Sequence, residues 1–223
     1  MSSKEQSLLI NKYKVFNLIE DVSALKVLLI LESPHINEYI HQHPAAGESA
    51  LELTQFLKSQ GYLHDFNNQL PIGCNIKTQH YTALGILNCS TLPMNAAFYP
   101  CALPIADLSQ VQHLVNIKNS LAAQNLPSDA NNSAYRALAD SVEFADFAQC
   151  LTHVLDAATP NLIIVPCGDT ATGFMTAFAA HYSEALRVLD SLPHPTEPDW
   201  AEKICSITSS GYLNRAIPQH LLP

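Results

Sequence analysis

The sequence is short of several things, and each shortage excludes a class of protein. Its 223 residues hold 11 Lys and Arg against 20 Asp and Glu, a net charge of −9. The basic residues are scattered, so charge alone gives no footprint for a phosphate backbone. Charged residues make up 14% of the chain and hydrophobic ones 48%, the reverse of the balance that keeps a chain disordered. Long apolar runs are also missing. Near the start the longest is Val27–Leu31, far too short to cross a bilayer. Met1–Gln6 carries no basic region followed by an apolar core, so a cytoplasmic location and no membrane partner are expected. Six cysteines are present (Cys74, Cys89, Cys101, Cys150, Cys167 and Cys205), but no CxxC pair. They read as mostly reduced and buried, and no metal or other cofactor is expected. The length suits one substantial core, which predicts a single domain over residues 1–223, as a monomer.

What is present is an alternation of short apolar runs with amphipathic ones. In the first 24 residues, Leu8, Leu9, Tyr13, Phe16 and Ile19 can share one helical face. Lys26–Leu31 then reads as a strand buried on both sides. A loop rich in Pro, His and Gly runs from Glu32 to Glu48. Ser49 can cap a helix reaching about Gln60, and Gly61 is placed to end it. Thr82–Leu87 is a second strand, entering a loop over Asn88–Pro104. Helical patterns cover Leu108–Ala123 and Ser141–Ala158, with a polar surface loop, Gln124–Asn132, between them. Leu162–Val165 is a third strand, Thr170–His181 a helix, and Leu186–Leu192 a fourth strand. A last helix is predicted to begin near Pro198. The alternation predicts a three-layer α/β/α fold around a central parallel four-stranded sheet. Ligands of such sheets bind beyond the carboxyl ends of the strands.

Several of those strand ends carry polar, chemically capable residues. Leu31-Glu32-Ser33-Pro34-His35 puts a carboxylate just past the first strand, where partial desolvation suits a general base; the alternative is a solvated loop glutamate. Pro34 bends the chain so that the loop can wrap a ligand. Asn88, at the second strand end, offers a donor and an acceptor to an amide-like edge, or else builds an Asx turn. In Pro193-His194-Pro195-Thr196, flanking prolines fix an imidazole that can stabilise an anionic leaving group, or that merely sits in a turn. Ser33 with His194 is a nucleophilic pair on paper, but no G-x-S-x-G elbow accompanies it.

Together these segments resemble the uracil-DNA glycosylase superfamily. Glu32-Ser33-Pro34-His35 is similar to its first motif, closest to the Gly-Glu-Ala-Pro-Gly of the thermostable bacterial and archaeal branch. Glu38 and His43-Pro44-Ala45-Ala46-Gly47-Glu48-Ser49-Ala50-Leu51 resemble that branch's Gly-x-Pro-Phe-Val-Gly stretch. Ile86-Leu87-Asn88, with Thr91-Leu92, looks like its Leu-Leu-Asn strand end. Pro160–Ala171 is similar to its Pro-x-hydrophobic-Leu-Gly-x-x-Ala strand and turn, and His194-Pro195-Thr196 to the His-Pro-Ser of its second motif. The order agrees across residues 26–196. The departures are as informative. The base-stacking Phe falls at Ala45, Leu31 and His35 replace glycines, the early cysteine pair of the iron–sulfur branch is absent, and the Arg of the Pro-Pro-x-Asn-Arg stretch is missing.

The resemblance implies a uracil-DNA-glycosylase-like fold and hydrolysis of the N-glycosidic bond of a deaminated or damaged base, such as uracil, rotated out of single- or double-stranded DNA. Glu32 would orient the attacking water and His194 would stabilise the departing base. Ser33, Pro34, His35, Ala45, Asn88, Pro195 and Thr196 would contact the substrate, and Leu192 or Trp200 would wedge or stack. The alternative is an inactive or repurposed member that binds a free base, a nucleotide or a protein in the same cleft, which the acidic balance and the missing Phe favour.

Overall fold

The computed structural model of the chain describes residues 11–99, 109–122, 133–182, 186–193, 202–203 and 217–223. Three strands form its sheet: β1 (Val27–Leu31), β2 (Leu84–Asn88) and β3 (Ile163–Pro166). They pair in parallel in the order β2-β1-β3, with Leu31 opposite Asn88 and Ile30 opposite Pro166. All three are buried along their whole length, as continuous apolar runs demand. The described helices are α1 (Ile36–His41), α2 (Glu48–Ser59), α3 (Ile72–Gln79), α4 (Ser109–Ala122), α5 (Ser133–Ala139), α6 (Val142–Ala157) and α7 (Gly168–His181).

Strand alternation divides the core in two. Val27, Leu29, Leu31, Leu84, Ile86, Ile163 and Val165 pack with Leu53 and Leu57 of α2 and Ile72 and Ile76 of α3. Leu28, Ile30, Leu87 and Ile164 pack with Leu114 of α4, Phe147 of α6 and Phe174 of α7. Helices therefore cover both faces of a parallel sheet in a mixed α/β fold. Among the described residues, no helix is long and apolar enough to cross a membrane.

The expected fourth strand is not a regular strand here. Val188 and Leu192 make isolated parallel bridges to Ile164 and Cys167. Ile164 N–H donates to Arg187 O (3.0 Å) and Gly168 N–H to Leu192 O (2.8 Å), whereas Ile163 and Cys167 donate towards β1. The amide between Ile164 and Gly168 that should point at this segment belongs to Pro166, which has no N–H. One extra residue between Val188 and Leu192 breaks the register as well.

The helix expected before β1 is also replaced, as far as the described residues reach. Leu18 and Ile86 exchange backbone hydrogen bonds as an antiparallel bridge, and Val15 N–H reaches Thr91 O. The open edge of β2 outcompetes helical periodicity, leaving Phe16 exposed and Leu18 buried. Three helices arise where none was expected: α1 inside the loop after β1, α3 before β2 and α5 between the two expected helical stretches. The loop Gln124–Asn132 and the start of the last expected helix lie outside the described residues.

Candidate functional site

The loop leaving β1 is built around one buried carboxylate. Glu38, in the first turn of α1, is 7% exposed. Its Oε2 accepts from His35 N–H (2.8 Å), closing the helix start, and its Oε1 accepts from Ala45 N–H seven residues on. Burial pushes the Glu38 carboxyl up to about 7, against the pull of the two amides that favour its ionised form. Ala45 is thereby held in the left-handed region at φ 54°. Its carbonyl accepts from Gly73 N–H (3.0 Å) at the start of α3.

Between this loop and α2 lies a cavity of about 180 Å³ at the carboxyl end of β1. Leu31, Ser33, His35, Glu38, Ala45 and Leu53 are among its walls. Ser33 Oγ accepts from Met94 N–H (3.0 Å), tying the wall to the loop after β2 and leaving the hydroxyl proton free to donate. The His35 ring lies 3.9 Å, centroid to centroid, from that of Phe98, so an aromatic pair stands beside the cavity although Ala45 occupies the expected Phe position. Pro34 is buried but is not among the cavity's walls.

Glu32 does not line the cavity. It continues the Leu28–Ile30 side of β1, towards α4 and α7. Its Oε1 meets Lys118 Nζ at 2.6 Å and its Oε2 accepts from the Thr170 hydroxyl at 2.8 Å. Asn88, opposite Leu31, shares the parity of Leu84 and Ile86 and so belongs to the cavity's side of the sheet. It is 3% exposed, and neither Nδ2 nor Oδ1 has a hydrogen-bond partner among the described residues. It is not among the cavity's walls; it borders a separate small cleft of about 40 Å³ with Lys14, Asn17, Glu143 and Phe147. Ser33, His35 and Ala45 are thus brought together, with Asn88 one strand over and Glu32 in the opposite layer. His194, Pro195, Thr196 and Trp200 lie outside the described residues, and Leu192 is buried.

Sequence reasoning did not single out Glu38, Phe98, Lys118 or Thr170 as site residues. The helix start at Glu38 lacked the usual capping Ser, Thr, Asp or Asn, His35 standing in its place, and the Lys118 contact joins residues 86 apart. No protein-family profile and no curated protein matches the chain.

Proposed function

We propose that the chain is a uracil-DNA-glycosylase-like domain that takes a single nucleobase into the cavity beyond β1 and hydrolyses its N-glycosidic bond. The observations that carry this reading are the cavity beyond β1 and, one strand away, the Asn88 amide, buried at a strand end without a partner among the described residues. Leaving such a group unpaired costs about 1–3 kcal/mol, so a bound group that pairs with it has a ready energetic return. The cavity is small beside the roughly 300–1,000 Å³ of sites for drug-sized ligands, which suits one base rather than a whole nucleotide. Glu32, with lone pairs left beyond Lys118 and Thr170, would orient water, and His194 would stabilise the leaving base.

A second reading, binding of a base, nucleotide or partner without cleavage, is favoured by Glu32. Both of its oxygens are engaged, and it stands in the layer opposite the cavity. Excision assays on single-stranded and duplex oligonucleotides carrying uracil, hypoxanthine or xanthine separate the two. Release of base, slowed by Glu32→Gln and His194→Ala, supports hydrolysis. Retained binding with no release from any substrate overturns it in favour of the second reading.

A further inference from the structure

The walls of the cavity carry a chemical preference of their own. Glu38 is one of the lining residues, its carboxyl held by the amides of two others, His35 and Ala45, and Glu48 adds a second acidic residue at the start of α2. Among the described residues lining it there is no lysine or arginine; His35 is the one basic side chain. A phosphate or carboxylate placed here would meet acidic groups with no fixed cation to offset them. The Glu38 oxygens each hold a backbone N–H but keep a second lone pair, so the carboxyl can also face a donor on a ligand. Ser33 adds a hydroxyl donor on the same wall.

We propose that this cavity selects a neutral or cationic heterocycle with an amidine-like edge, an exocyclic amino group beside a ring nitrogen, which pairs with the Glu38 carboxyl. The proposal rests on the base-binding reading above and narrows it: the preferred base is an amino-bearing one, and uracil, whose edge is an imide, is disfavoured. The edge and the carboxyl match in either protonation state. Carboxylate faces amidinium, or carboxylic acid faces neutral amidine, with two parallel hydrogen bonds in both cases; a carboxylic acid also pairs with an imide, so the preference over uracil rests on the stronger, charge-assisted carboxylate–amidinium form. Burial that places the Glu38 carboxyl near neutrality lets it serve in both. Negative charge on the ligand is excluded on electrostatic grounds, so any phosphates of a strand carrying the base stay outside.

The test is a chemical-shift titration of the isotope-labelled chain with cytosine, uracil and 5-carboxycytosine, following the amides of His35 and Ala45 that donate to Glu38. Cytosine is expected to move both amides and to bind at least about tenfold tighter than uracil, a difference of about 1.4 kcal/mol. The added carboxylate of 5-carboxycytosine is expected to abolish binding. Glu38→Gln should erase the preference for cytosine, and the ranking on the unaltered chain stands whether or not that variant folds. Uracil binding as tightly as cytosine, or 5-carboxycytosine binding equally, overturns the selectivity while leaving a base-binding cavity. No response to any of the three overturns both.

Discussion

Glu38 is the residue on which the site's architecture turns, and its protonation is coupled to stability. Its carboxyl is raised from 4.5 to about 7 in the folded chain. The folded state therefore holds a proton that the unfolded state releases between those values. That contribution is fully present below about pH 4.5 and is lost as pH rises through about 7, roughly 3 kcal/mol by linkage. His43, whose imidazole burial pushes down, works in the opposite direction and favours higher pH. The prediction is accordingly comparative. In urea melts between pH 5 and 8, Glu38→Gln should remove a component of stability that falls with rising pH. Superimposable pH profiles for the two proteins would contradict it.

Lys118 supplies a second prediction at the residue scale. The Glu32 side chain is 14% exposed, and Lys118 Nζ at 2.6 Å is its cation. Lys118→Ala leaves that carboxylate largely buried and should destabilise by about 1–3 kcal/mol. Lys77, 59% exposed beside Glu20, gives a contrast: Lys77→Ala should change stability by less than about 1 kcal/mol. Equal effects in denaturant melts would argue against a structural role for the Glu32 pair. Neither partnership was legible in the sequence, because both join residues far apart in the chain. Glu32 itself was legible as a strand-end carboxylate, but its layer depends on strand parity and its engagement on α4 and α7.

At the scale of elements, α3 braces the cavity wall. A Cβ on Gly73 would come 2.0 Å from Pro44 O and 2.8 Å from Ala45 O, both backbone atoms. Gly73→Ala should therefore push the Pro44–Ala45 segment outward, destabilise the chain by several kcal/mol and disturb the Ala45–Glu38 bond. Ala45→Gly, which relieves the left-handed strain at φ 54° while loosening the unfolded chain, should stay within about 1 kcal/mol of the parent. Thermal melts of the two variants check the pair, and a mild Gly73→Ala would contradict the close approach. The three strands were readable because continuous apolar runs such as Val27–Leu31 have few other uses. The Leu186–Leu192 segment was overread: its own residues suit a strand, but the missing amide belongs to Pro166 next door. Helix α1 was hidden by the Pro and His content around it and by His35 standing where a capping Ser, Thr, Asp or Asn is usual.

For the whole molecule, charge limits how a nucleic acid can be held. With a net charge of −9 and no cluster of basic residues, phosphate contacts should be few. Binding to a base-bearing single strand should then fall only weakly with salt, with a slope of log K against log salt no steeper than about −2. A much steeper slope would show a phosphate-tracking surface that neither sequence nor fold suggests. On the proposed reading, affinity would come instead from the base and the groups that meet it.

Asn88 would report on such a meeting, because its side-chain amide is buried, without a partner among the described residues, and one strand from the cavity wall. The decisive measurement follows the Asn88 side-chain NH2 and the Ala45 backbone N–H by NMR as a single-stranded oligonucleotide carrying a candidate base is added. A base-binding cavity predicts that both signals shift together and saturate, and that Asn88→Ala lowers affinity by at least about tenfold. Saturable binding that leaves both signals in place would contradict the assignment of this cavity as the base site.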